Sequence, residues 1–266
     1  MEVTGQLNKM KTALDKEILY SMRLGDELVE LNPWIGKEIS LQFTGKILCV
    51  NCGKETKKSF GQGFCYPCFI NSPENSDCII KPELCRGHLG EGRDVEWEKS
   101  HHVQPHYVYL ALSSDVKVGV TRNTQVPTRW IDQGATQAVI LAEVPYRQLA
   151  GAIEVELKKH MADKTNWQRM LKNDVMQGVD LIERKKSATD LLPEELKKYV
   201  ATENKITELN YPVLKYPEKV SSMNFEKFPE IKGTLLGIKA QYLLFDGGRV
   251  INIRNQSGYV VKLKMD

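Results

Sequence analysis

The chain has 266 residues, 41% of them hydrophobic and 27% charged, with a formal net charge of +3. That length accommodates one large domain or two to three small ones, and a balance this weakly basic permits a nucleic-acid partner without requiring one. No apolar run approaches the roughly 20 residues of a membrane span, and the start Met1-Glu-Val-Thr-Gly5 lacks a signal-peptide pattern, so no membrane partner is expected and the expected compartment is the cytoplasm.

In chain order, Ile18 to Phe43 read as short strands punctuated by Gly25-Asp26 and Asn32-Pro33, which predicts a small antiparallel β module over residues 1–46. Residues 47–104 carry the most specific signal. Cys49-Val-Asn-Cys52 is followed after twelve residues by Cys65-Tyr-Pro-Cys68, and two C-x2-C turns each present a pair of thiolates to one tetrahedral ion. Gly53 supplies a permissive backbone after the first pair, and Phe60-Gly-Gln-Gly-Phe64 reads as a hairpin delivering the second. Nothing points to the secretory setting of a disulfide or the βαβ setting of a redox dithiol. The unit therefore reads as a zinc ribbon, and with four protein ligands its zinc is expected to be structural rather than catalytic.

Downstream, Cys78, Cys85 and His88 form a looser candidate for a second zinc site, with His101 or His102 as the fourth ligand. Four of the five histidines fall between His88 and His106. The ordinary alternative is a pair of buried cysteines acting as small hydrophobes, with histidines on a loop.

Residues 105–172 begin with an alternating pair. Tyr107-Val-Tyr-Leu-Ala-Leu112 and Val116-Lys-Val-Gly-Val120, joined through Ser113-Ser114-Asp115, predict a β-hairpin. If Leu112 pairs with Val116, then Val108, Leu110, Val116, Val118 and Val120 share the apolar face, Tyr109 faces Gly119, and Lys117 is a diagonal neighbour whose charge would favour phenolate. A short helix over Thr128–Asp132 carries Arg129. Gln148 to Met161 is an amphipathic helix with Leu149, Ile153, Leu157 and Met161 at helical spacing, and Glu154 and Glu156 both border its apolar stripe. Residues 173–215 read as a charged helical connector entered at Pro193. Residues 216–266 form a C-terminal β module, with one strand run from Gly233 to Phe245, a turn at Asp246-Gly-Gly248, Arg249 to Arg254, and Tyr259 to Leu263 after Ser257-Gly258. Whether the two terminal modules pack together is open at this level.

Tyr107-Val-Tyr109, Lys117-Val-Gly119, Arg129, Glu154-x-x-Leu157 and Asn166 occur in an order that resembles the signature of the GIY-YIG nuclease superfamily. With Arg129-Trp-Ile-Asp-Gln-Gly134 and Ala162-Asp-Lys-Thr-Asn-Trp167, the arrangement more closely resembles an uncharacterised bacterial family joining a cysteine-rich ribbon to a GIY-YIG-like domain. The resemblance implies an α+β fold in which a three-stranded antiparallel sheet is flanked by helices. It also implies one divalent ion, Mg or Mn, held by Glu154. In that frame Tyr109 helps activate a water, Arg129 neutralises phosphate charge, and Asn166 lies late near the site. Two positions depart from the pattern: Tyr107 stands for the first glycine, and Lys117 stands for the second tyrosine, where it could manage charge beside Tyr109.

Each residue also has an ordinary reading. Tyr107 and Tyr109 can be packing residues with polar tips, Arg129 can pair with an acid or stack on Trp130, and Asn166 can cap a helix. Two functions of different class follow: a metal-dependent nuclease or phosphodiesterase with a zinc ribbon, or a non-catalytic zinc-containing protein that binds nucleic acid or supports assembly.

Overall fold

The computed structural model describes residues 1–161 and 166–265. Its strands are β1 (Glu2–Gln6), β2 (Lys11–Ala13), β3 (Leu19–Leu24), β4 (Glu27–Glu30), β5 (Glu38–Ile47), β6 (His106–Leu112), β7 (Val116–Arg122), β8 (Gln137–Val144), β9 (Thr207–Glu208), β10 (Ser221–Met223), β11 (Glu230–Lys239), β12 (Tyr242–Phe245), β13 (Arg249–Asn252) and β14 (Tyr259–Met265). Its helices are α1 (Tyr66–Asn71), α2 (Val95–His101), α3 (Thr128–Asp132), α4 (Arg147–Lys158), α5 (Trp167–Leu171), α6 (Leu181–Asp190) and α7 (Glu194–Lys197). The class is mixed α+β with several antiparallel sheets. No helix among the described residues is long and apolar enough to cross a membrane. The chain folds into two compact units, Met1–Ile70 with Asn210–Asp266, and Asn71–Leu209.

In the first unit the two ends of the chain meet in one seven-stranded sheet of order β1-β14-β5-β11-β12-β13-β10. Alternation in β5 and β14 turns Ile39, Leu41, Val261, Leu263 and Met265 inward, and the antiparallel register sets Leu41 opposite Leu263 and Ile39 opposite Met265. Strand β1 then covers the outer edge of β14, with Val3 opposite Leu263. A second sheet, β2-β3-β4, folds around the predicted turn, where Gly25 takes a positive φ of 61°.

The run from Gly233 to Phe245 is not one strand. It turns back at Ala240-Gln241, with Lys239 opposite Tyr242 and Ala240 in the left-handed region at φ 56°. No glycine, asparagine or aspartate marks this turn, so local composition carries no signal of it. Contacts distant in sequence hold it instead: the Met10 N–H donates to Gln241 Oε1 at 2.8 Å, and Gln241 Nε2 donates to the Met10 carbonyl at 3.3 Å.

In the second unit the sheet order is β7-β6-β8-β9. The predicted hairpin forms in the predicted register, with Leu112 opposite Val116 and Tyr109 opposite Gly119. The expected three strands become four, because the two-residue β9 pairs with β8 and Gln137 Nε2 donates to Glu208 Oε1 at 2.8 Å. Two residues are too few to show a period. Val108, Leu110, Val116 and Val118 pack with Ile153 and Leu157 of α4 and Leu181 and Ala188 of α6. Tyr109, on the alternate face, meets the Trp130 ring of α3 edge-on at 6.0 Å.

The buried Lys239 lies 5.2 Å from the ring centroids of both Tyr211 and Tyr216, a cation–π arrangement that offsets part of its lost hydration. Burial lowers its pKa from 10.5 to about 8. Between those values the unfolded chain binds more protons than the folded one, so this residue makes stability rise with pH. Denaturant titrations from pH 8 to 10.5 should show that rise, on the order of 3 kcal/mol at most, and Lys239→Met should flatten it; an unchanged slope in the variant would refute the assignment.

Candidate metal centres and the hairpin site

The ribbon cysteines come together as their spacing predicts: the sulfurs of Cys49, Cys52, Cys65 and Cys68 all lie within 4.8 Å of one another. Gly53, at φ 71°, closes the first turn by donating its N–H to the Cys49 carbonyl at 2.9 Å. Phe60 and Phe64 exchange both backbone hydrogen bonds at 2.9 Å, which delivers Cys65 and the first turn of α1 with Cys68. A Cβ at Gly63 would stand 2.5 Å from Val50 Cγ1, so the second arm can approach the first only with glycine there. The Cys52 and Cys65 sulfurs are 3.8 Å apart, close to the S-to-S edge of about 3.8 Å that Zn–S bonds of about 2.3 Å impose on a tetrahedron.

Four thiols this close cannot all ionise without a cation between them. Burial works against the Cys49 thiolate, but backbone N–H groups of Cys65, Cys52 and Asn51 bring this thiol down to about 6. Cys68 accepts from Asn51 Nδ2 at 3.3 Å, which lowers it, yet Cys65, burial, Cys52 and Cys49 together push it up to about 12. The four thiols could hold a zinc ion, with Asn51 as the outer hydrogen-bond donor that such sites use.

The second cluster differs from the sequence reading in one ligand. Cys78, Cys85 and His102 converge, and Glu98 completes the group within 4.8 Å. His88 stands apart, its ring stacked on Tyr146 at 4.6 Å. His101 turns to Trp97, at 4.0 Å between ring centroids. His106 is buried on β6, where burial brings it down to about 4. Residues 98 and 102 are one helical turn apart on α2 and its C-terminal cap, which puts Glu98 and His102 on one side. That spacing was the available signal, and the run of histidines masked it.

The hairpin residues meet in part. Tyr109 is 0% exposed and donates its hydroxyl to Gln133 Oε1 at 2.9 Å. A Cβ at Gly119 would stand 2.6 Å from that hydroxyl oxygen, so the glycine opposite Tyr109 makes room for the phenol. Burial raises the Tyr109 pKa, against the lowering influence of the adjacent Arg129 guanidinium, while the Glu154 charge raises it further. The phenol therefore keeps its proton, contrary to the expected phenolate, and Arg129 and Glu154 are among its charged neighbours. Lys117 pairs opposite Ala111 and is buried.

Glu154 is buried on α4, whereas Glu156 is half-buried and paired with Lys159 at 2.6 Å. Burial raises the Glu154 pKa, and Lys158, 3.3 Å away, counters it. Asn166 is exposed and caps α5, its Oδ1 accepting from the Arg169 N–H at 3.1 Å and its own N–H donating to Ser114 Oγ at 3.2 Å. Residues 162–165 of the matched run lie outside the described residues. Gln133 and Arg147, neither of them singled out by the sequence reading, complete the charged and polar surroundings of Tyr109 and Glu154.

Replacing Cys52 and Cys65 by serine should remove one zinc equivalent from the purified chain and cost at least a few kcal/mol of stability, since metal binding and folding of such a ribbon are one equilibrium. Elemental analysis and thermal melts with and without a chelator would check this; unchanged zinc content would sink the ribbon assignment.

No curated protein and no solved structure matches the chain. Residues 36–261 match the family described as "Protein of unknown function (DUF2797)". That match covers most of the 266 residues, and the chain therefore belongs to the DUF2797 family.

Proposed function

We propose that the chain is a metal-dependent phosphodiester hydrolase acting on nucleic acid, with the hairpin, α3 and α4 as its working site. The observation that carries this reading is that Arg129 and Glu154, from two helices, both come within electrostatic reach of Tyr109 on β6. The order of hairpin, short helix, third strand and carboxylate-bearing helix also agrees with the GIY-YIG resemblance.

Glu154, buried with Glu83 acting on it, would hold the Mg or Mn ion. Such an ion supplies charge stabilisation at the phosphate oxygens. Lys158, which pairs with Glu154 at 3.3 Å, would compete with such an ion for the carboxylate. Arg129 neutralises the phosphoryl oxygens. Tyr109, holding its proton and giving it to Gln133 Oε1, can orient a water only by accepting a hydrogen bond from it rather than by acting as a base. The ribbon serves as a scaffold or substrate-binding module.

A second reading has its own support. The Tyr109 hydroxyl is wholly buried and already bonded to Gln133, which favours a degenerate site in a protein that binds nucleic acid or supports assembly without cutting it.

Incubation with Mg or Mn and a panel of DNA and RNA substrates separates the two. Under the first reading the native chain cleaves, and Glu154→Ala or Arg129→Ala lowers the rate by about 10²-fold or more. Cleavage that survives Glu154→Ala would remove Glu154 from the site. Salt-sensitive binding with no cleavage would establish the second reading.

A further inference from the structure

We infer that Cys78, Cys85, Glu98 and His102 hold a second zinc ion, and that this ion fastens helix α4 in position. The inference stands whether or not the chain cleaves nucleic acid.

The sulfur-to-nitrogen distances are those a zinc ion requires. The Cys78 and Cys85 sulfurs lie 3.8 and 3.5 Å from His102 Nδ1. Zn–S bonds of about 2.3 Å and Zn–N bonds of about 2.0 to 2.1 Å set a tetrahedral S-to-N edge of about 3.6 Å. Glu98 Oε2 lies 4.0 Å from the Cys85 sulfur and contacts His102 Nδ1. A free buried cysteine acting as a small hydrophobe would face apolar neighbours. Here both thiols face an imidazole, and one of them also faces a carboxylate.

The surroundings are built for these groups. All four residues are buried. A Cβ at Gly92 would stand 2.4 Å from Glu98 Cγ, and one at Gly87 would stand 3.2 Å from Glu98 Oε2, so two glycines form the cradle in which the carboxylate lies. Charge also balances. Two thiolates, one carboxylate and a neutral imidazole around Zn²⁺ leave one negative charge, and Arg147 supplies the compensating positive charge beside Cys78 and Cys85.

Arg147 is also the mechanical link. Its Nε donates to the Cys78 carbonyl and its terminal nitrogen to the Ile79 carbonyl, both at 2.9 Å, while its backbone N–H donates to the His102 carbonyl at 2.9 Å. One turn further along α4, a Cβ at Gly151 would stand 2.1 Å from the Glu83 backbone nitrogen. A glycine inside a helix costs about 1 kcal/mol relative to alanine, and here it lets the helix lie directly on the loop between the two cysteines. Glu154 follows three residues later. An ion that fixes residues 78–102 thus fixes the seat of α4 and, with it, the depth of Glu154.

The full chain, produced with zinc supplied, should contain two zinc ions, and X-ray absorption should find an average of about three sulfurs and one nitrogen or oxygen around each. Cys85→Ser should leave one zinc and raise amide hydrogen exchange across Arg147–Lys158 while β11 and β14 stay protected. Because that variant can fail to fold, Glu98→Gln provides a milder test: it should surrender zinc to a chelator at least about tenfold more readily, with an unchanged circular dichroism spectrum. One zinc per chain in an all-sulfur environment, native-like zinc retention in Glu98→Gln, or unmoved α4 exchange after loss of the second ion would each overturn the proposal.

Discussion

Lone pairs turned toward one point repel one another, and two places in this chain are organised by that repulsion. At the ribbon four sulfurs meet with backbone N–H groups and an asparagine amide arrayed around them. At the second cluster two sulfurs, an imidazole and a carboxylate meet in a buried pocket edged by glycines and an arginine. Neither arrangement is a packing solution for apolar side chains. Each brings together groups whose burial without a cation is unfavourable, and the irregular turns around them are held by polar contacts rather than by an apolar core. The short turns between residues 73 and 89 illustrate this: they carry few apolar residues inward and hold their course through cysteine, carbonyl and guanidinium contacts.

Helix α4 joins that irregular region to the ordered sheet. One side packs Ile153 and Leu157 against the valines of β6 and β7, a burial worth about 2 kcal/mol per side chain. Its first turns lie on the loop of the second cluster through Arg147 and Gly151. Glu154 lies between these two attachments. A carboxylate held this way is kept out of water, which explains its raised pKa, and is kept within electrostatic reach of Tyr109. Its ion pair with Lys158 lies within the same helix and so does not fix it to the sheet. The position of Glu154 is therefore a property of the helix as a rigid body.

Legibility followed periodicity. The β6–β7 hairpin could be read to the residue because strict alternation on both strands and a polar turn leave only one register that buries Val108, Leu110 and Val118 together. The ribbon could be read because two C-x2-C turns constrain local geometry directly. The turn at Ala240-Gln241 could not, because what stabilises it is Met10 at the far end of the chain. Strand β9 could not, because two residues have no pattern. The second cluster was half legible: its cysteines are conspicuous, but a glutamate among many acids becomes a candidate ligand only when helix α2 turns it beside His102.

Tyr109 marks the same boundary in the chemistry. Its position opposite Gly119 follows from sequence, whereas its protonation does not, since that depends on how completely Trp130, Gln133 and the flanking strands exclude water from the phenol. The sequence by itself determined the local matters: which cysteines share the ribbon, which residues face each other across the hairpin, and which helix is amphipathic. The tertiary structure decided which distant groups share a site, namely Glu98 rather than His88 beside the cysteines, Arg129 and Glu154 within reach of the tyrosine, and both chain ends in one sheet. The physical reason is range. Backbone geometry and side-chain period act over a few residues, whereas burial and electrostatics act between whatever the fold brings within a few ångströms.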